Sequence, residues 1–325
     1  MKKAKRIWLV GLVLITIFAL VLSRIEPAKL LVAMSGISWK WVFLALVLNI
    51  VNIGVESLRW QQVIFTVKRE ASFQKILAAL LVGFFGNIIF PLRIGDGFRI
   101  YFLSKQEKIK VSDVIWTFFL DRIGDILFFL VLIGITGLYF PLSGETEKAF
   151  HLLLFVISVL IVILTILAFV FTRGDTQHFS GWRKRLRNFL ERLVLVWRGL
   201  RSARNLTLFS LLASLSWLLR VLIIWAMFES FHMRLPFVVS VIGLIMVNLG
   251  LAAVNTPANI GGFELALIAA LKLFSVDTET ALSCALLLHL VEVIPTFILG
   301  GAVIIKTGFR FERVRKEAEE IEKAL

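Results

Sequence analysis

Arg93, Asp96 and Arg99 fall within one glycine-rich run, Arg93-Ile94-Gly95-Asp96-Gly97-Phe98-Arg99. Two cations against one anion leave net positive charge, and a planar guanidinium fork holds two oxygens of a phosphate at once. The chemistry on offer is recognition of an anionic group. Asp96 also has a structural use, as a helix cap and partner for an arginine. A second run carries Asn255 and Glu264 in Asn255-Thr256-Pro257-Ala258-Asn259-Ile260-Gly261-Gly262-Phe263-Glu264. Both runs place Asn and Pro ahead of a glycine-rich turn and then Phe followed by a charge, with Asn87 and Pro91 serving the first.

Each run is followed by a long apolar segment with charges one helical turn apart. In the first these are Asp121, Arg122 and Asp125; in the second, His289 and Glu292. Residues three and four apart share a helix face, so each set lines one groove. Ionised groups inside an apolar span are costly and by default functional candidates. Asp121, Arg122 and Asp125 serve either substrate or a structural ion pair with the first hairpin. His289 titrates near neutrality, which allows a proton-linked step, or it makes a structural hydrogen bond.

A further polar line, Asn49, Asn52, Glu56 and Arg59, recurs at helical spacing. It either lines a headgroup path or bonds to neighbouring helices, as amides do in membrane bundles. Arg220 stands alone in its apolar segment, with Glu56, Asp121 and Glu292 as candidate partners. The sequence holds no phosphate-binding G-x-x-x-x-G-K-[ST] loop, no H-E-x-x-H pair and no G-x-S-x-G elbow. No cofactor, metal or catalytic role is therefore expected.

The elements that position these residues follow from composition. Hydrophobic residues make up 59% and charged residues 18%, against roughly 45–50% and about 25% in soluble domains. A bilayer core of about 30 Å takes roughly 20 apolar residues per helical span. Six segments qualify, at about 7–24, 39–58, 112–140, 149–172, 206–231 and 279–306. The shorter runs 75–90 and 236–254 end at the two breaks. The predicted fold is all-α: a polytopic membrane protein with six to eight transmembrane segments and two re-entrant helical hairpins in an inverted repeat. Helix-breaking Pro and Gly survive at membrane depth only where protein or water meets the freed backbone.

Lysine and arginine set the orientation. They crowd the N-terminus, the loops near 59–75 and 105–110, the stretch 173–205 and the tail, leaving only Arg24, Lys29, Lys40, Lys148, Arg234 and Lys272 on the other side. By the positive-inside rule both termini are cytoplasmic in a plasma-membrane protein, with an uncleaved first helix. The whole of 1–325 reads as one membrane domain. Its first half, 1–172, holds a hairpin at 75–110 opening inward; a basic interfacial linker spans 173–205. The second half, 206–306, holds a hairpin at 236–274 opening outward, and 307–325 is a charged tail. A net charge of +14 serves anionic lipid near the spans and not nucleic acid. The lone Cys284 excludes a disulfide within the chain.

The runs Arg93 to Arg99, Phe119-Leu120-Asp121-Arg122-Ile123-Gly124-Asp125 and Asn255 to Glu264 resemble the membrane region of lysylphosphatidylglycerol synthases, the flippase-like membrane proteins. Family members commonly carry Glu where this chain has Asp96, and Glu-Arg where it has Asp121-Arg122, so the charge pattern is kept. The resemblance covers about residues 5–307 and implies a lipid-handling membrane fold. The soluble aminoacyl-transferase domain of those synthases has no counterpart in 1–325, and synthase activity is not carried over. The expected partner is an anionic membrane lipid, moved between leaflets; alternatively the chain presents lipid to a separate lipid-modifying enzyme. A homo-oligomer fits either.

Overall fold

The structure is a computed structural model that describes residues 34–90, 92–139, 203–253 and 256–309. The expected spans at 7–24 and 149–172, most of the linker and tail, Pro91 and Asn255 lie outside the described residues. Among the described residues eight helices follow in order: α1 (Trp39–Ile64), α2 (Phe73–Ile89), α3 (Ile94–Glu107), α4 (Val111–Tyr139), α5 (Ala203–Ser230), α6 (Phe237–Ala253), α7 (Gly262–Lys272) and α8 (Thr278–Thr307). A single 3-10 turn, Pro257–Asn259, sits between α6 and α7. The described residues are helical and contain no strand.

Proline cuts the apolar runs where the sequence places it. The residue ahead of a proline is driven out of helical backbone, and Phe90, before Pro91, is extended at φ −107°, ψ 141°. Thr256, before Pro257, is extended likewise at φ −77°, ψ 159°. After each proline come two non-glycine residues in left-handed backbone, Leu92 (φ 64°) with Arg93 (φ 54°) and Ala258 (φ 50°) with Asn259 (φ 59°). The two breaks thus follow the same backbone course, counted from each proline. In the first, α3 begins at once; in the second, Ile260 and Gly261 intervene before α7.

The chain divides into two compact units. The first is drawn from Met1–Ser57, Ser72–Lys108 and Leu215–Leu325, and the second from Leu58–Ala71 and Ile109–Ser214. In the first, α2 packs along α3 and α6 along α7, while α8 lies against both α2 and α7. Glycine permits these approaches. A methyl group on Gly83 would sit 2.8 Å from the Arg99 Cβ, and one on Gly250 would sit 2.7 Å from the Ala266 Cβ. Gly300 of α8 likewise admits Phe85 of α2, whose ring stacks on Phe297 with centroids 5.1 Å apart.

The polar pattern is that of a protein dissolved in lipid. On α8, Leu290, Ile294, Phe297, Ile298 and Ile305 face outward, while Asn49, Asn52, Glu56, Glu264 and His289 are buried within the same unit. Among the described residues α1, α5 and α8 are long and apolar enough to cross a membrane, and α2 and α6 are shorter apolar helices. The protein is an all-helical, polytopic membrane protein. One boundary differs from expectation: α1 runs on to Ile64, past the expected end near 58, because Trp60, Val63 and Ile64 are fully buried and extend the apolar face.

Candidate functional site

The first break is built by α2 and α3. Arg93 is the N-cap of α3 and exposed, and Asp96 occupies its first turn. Arg99, one turn on, is buried at 1% exposure against the glycine face of α2. Asn87 of α2 donates a long hydrogen bond to Asp96 at 3.4 Å. The structure therefore gives the three charged residues different settings, with Arg93 at the surface of the turn and Arg99 behind it.

The second break is tied by side chains. Glu264 stands at the third position of α7 and accepts from the Gly261 N–H at 2.7 Å, the reach-back that closes a helix N-terminus. Its other oxygen meets His289 Nδ1 of α8 at 2.5 Å. The remaining ring nitrogen, Nε2, points at the Ala258 carbonyl at 2.7 Å. Phe263 stacks on the imidazole at 4.7 Å between centroids, and Thr256 donates to the Ile260 carbonyl at 2.8 Å. The turn Pro257–Asn259 packs against α2, so the second break lies against the first hairpin. Asp96 and Glu264 both stand three positions after an N-cap, Arg93 and Gly261, and so are counterparts by place in the helix.

Deeper in the same unit a polar chain crosses α1, α5 and α8. Asn52 donates to Glu56 at 2.9 Å and accepts from Ser216 at 2.9 Å. Glu56 binds Arg220 at 2.6 Å, which selects one of the three candidate partners of that arginine. Asn49 donates to the Val291 carbonyl at 2.9 Å and reaches the Glu292 carbonyl at 3.3 Å. The polar line of α1 is therefore bonded to neighbouring helices. His289 does not close a pair with Glu292, one turn along α8; it turns across to α7, where Glu264 offers a directly facing oxygen. Glu292 is half-buried and within the field of His289, Arg220 and Glu56.

The second unit holds the other charges. Arg59 of α1 binds Asp121 through Nε at 2.9 Å and grips both carboxylate oxygens of Asp125, Nη2 to Oδ2 at 3.0 Å. Arg122 adds a 3.4 Å contact to Asp125 and lies 5.1 Å from the Phe118 ring centroid. Arg59 reads as a flanking cation in the sequence, yet it is 2% exposed and holds both aspartates. The longer α1 explains the difference, since nearly two more turns, with Trp60, Val63 and Ile64 buried, carry it inside. The same-face spacing of Glu56 and Arg59 is the signal for its burial. Among the described residues no cluster of His, Cys, Asp or Glu is placed to hold a metal. Asn255 lies outside the described residues.

The sequence has relatives. The family described as Lysylphosphatidylglycerol synthase TM region matches residues 7–300. The UPF0104 membrane protein MJ1078 of Methanocaldococcus jannaschii is 27% identical over 224 residues, 68% of this chain and 92% of that protein. The UPF0104 membrane protein MJ1595 of the same organism is 25% identical over 302 residues, 86% of this chain and 88% of that one. Glycosyltransferase AglD of Haloferax volcanii is 23% identical over 145 residues, 44% of this chain and 23% of its own length. With nearly its whole length matched, this chain belongs to the family of lysylphosphatidylglycerol synthase transmembrane regions.

Proposed function

We propose that this protein moves an anionic lipid, a phospholipid or a lipid of the polyprenyl-phosphate type, between the leaflets of the cell membrane. The observation that carries this reading is the common course of the two breaks: an extended residue, proline, then two left-handed residues, in hairpins that lie against each other. The lysine and arginine distribution puts both termini in the cytoplasm, so α2–α3 is a re-entrant hairpin opening inward and α6–α7 one opening outward. Like elements of opposite orientation around one polar site expose it to each side in turn. Arg93, exposed at the first break, meets the lipid phosphate, with Arg99, Asp96 and Asn87 behind it. Glu264, His289 and Glu292, in the same unit as both breaks, shape the path. No covalent bond is made or broken, and the chain acts as a carrier.

Purified protein in phosphatidylcholine vesicles tests this with fluorescent phosphatidylglycerol and a quencher confined outside. Exchange faster than in protein-free vesicles supports the reading, and Arg93→Ala lowers it about tenfold, the factor for one charge-assisted contact. Exchange at the protein-free rate contradicts it. A second reading draws on the similarity to part of a protein named as a glycosyltransferase: the chain binds lipid and presents it to a separate lipid-modifying enzyme. Lipid that co-purifies with the protein while leaflet exchange stays at the background rate favours that alternative.

A further inference from the structure

His289 faces two acceptors. Nδ1 lies 2.5 Å from a Glu264 carboxyl oxygen and Nε2 lies 2.7 Å from the Ala258 carbonyl oxygen. A neutral imidazole has one N–H, a carbonyl oxygen only accepts, and an ionised carboxylate only accepts. A neutral ring beside an ionised Glu264 therefore leaves one short contact with two lone pairs and no hydrogen. One additional proton removes the conflict, either on the ring as imidazolium or on Glu264 as a carboxylic acid donating to Nδ1. The Gly261 N–H donates to the other Glu264 oxygen at 2.7 Å in both cases.

The proton also holds strained backbone. Ala258 and Asn259 are left-handed, at φ 50° and 59°, a conformation that strains a residue such as Ala258 and persists only where its surroundings hold it. The hydrogen bond from His289 to the Ala258 carbonyl is such a hold. We infer that His289 and Glu264 form a single-proton site that latches the second break, and that the coupling ion of this protein is H⁺. When the proton leaves to water, the one remaining ring N–H stays on Nδ1 against the ionised Glu264, the stronger acceptor, so the bond to the Ala258 carbonyl is lost and the turn Pro257–Asn259 is released from α8. The proton site stands on this geometry alone; its link to lipid movement rests on the proposed function.

Other charges near the pair are few. Glu292, on the same helix, is the nearest further acid, and Arg220 of α5 and Glu56 of α1 act on it in turn. Within α7 the other charge is Lys272 at its far end. The α6 segment and the 257–259 turn carry no titratable residue, and Lys75 of α2 is engaged near its start with Glu107 at 3.5 Å. Among the described residues, no group other than the pair accounts for a proton between the ring and the turn.

The test uses the full chain in detergent micelles, with Cys284→Ala removing the native thiol and Ile260→Cys reporting on the turn through its reaction with a small maleimide. From about pH 5 to about pH 9, the range in which histidine environments titrate, the labelling rate rises roughly tenfold or more over that of the same thiol in a Glu264→Gln background. That variant is the control because its amide donates to a neutral ring, accepts from Gly261 and has no proton to lose. His289→Leu, without either bond, labels fast throughout. A wild-type rate that follows the Glu264→Gln rate across the range overturns the proton site. Leaflet exchange by the same proteins reconstituted in vesicles separates the two ideas. A pH-dependent turn without exchange removes the transport reading and leaves the proton site. Exchange with a pH-independent turn does the reverse.

Discussion

Asn49 of α1 donates to the main-chain carbonyl of Val291, the acceptor that Pro295 leaves empty four residues later in α8. Proline has no N–H, so a helix containing it must find another donor for that carbonyl, and in lipid water does not supply one. Thr296 adds local compensation by donating to the carbonyls of Glu292 and Val293. The amide is thus part of the fold of α8.

Asn49→Leu is expected to cost about 1–3 kcal/mol, the penalty of an unmet buried acceptor. Pro295→Ala restores the missing donor, so the cost of Asn49→Leu shrinks in that background. Thermal unfolding of the four proteins in detergent measures the coupling.

Arg59 is expected to be the most sensitive charge in the second unit. Arg59→Ala leaves the buried Asp121 without its cation and takes the paired grip from the part-buried Asp125, at about 3–5 kcal/mol. Arg59→Lys keeps the charge but loses the two-pronged grip on Asp125, and falls between. Melting temperatures that rank Lys with wild type contradict the role of the fork.

Close helix approach predicts a contrast among glycines. Gly83→Ala and Gly250→Ala force a methyl group against the facing helix, costing about 1–3 kcal/mol by overpacking. Gly54→Ala meets nothing within 4 Å and stabilises α1 by up to about 1 kcal/mol through helix propensity. Unfolding of the three variants separates the cases.

Asp277 caps α8 by accepting from the Thr280 N–H at 2.8 Å. Slight burial pushes its carboxyl up, but the hydrogen bonds from Thr280 and its neighbours outweigh this and hold it below the usual aspartate value. A depressed carboxylate contributes stability that is present above its unfolded value and lost as pH falls through the folded one. Asp277→Asn, which caps without ionising, removes that acid-sensitive part of the unfolding profile. Asp277→Ala costs about 1 kcal/mol.

Much of this fold was legible because its signals are covalent or apolar. Pro91 and Pro257 mark both breaks, and long apolar runs place the helices within a few residues. The end of α1 was not legible, since Arg59 resembles a boundary until Asp121 and Asp125 are brought to it. Leu92, Arg93 and Ala258 give no sign of left-handed backbone, because tertiary contacts rather than residue type impose it; Asn259 is a type that adopts it readily. The pairing of His289 was open for a similar reason: Glu292 is near in sequence, whereas Glu264 is near in space. The likeness of the breaks shifts as well, from Phe followed by charge to a shared course around proline and an acid at the third position of the next helix.

The claim on which the transport account turns is that the two hairpins open to opposite faces of the membrane. In a Cys284→Ala background, Lys105→Cys near the end of α3 and Lys272→Cys at the end of α7, both exposed, report this in sealed vesicles of known orientation with an impermeant maleimide. The account predicts that the first thiol reacts only from the cytoplasmic face and the second only from the other. Reaction of both from the same face contradicts it.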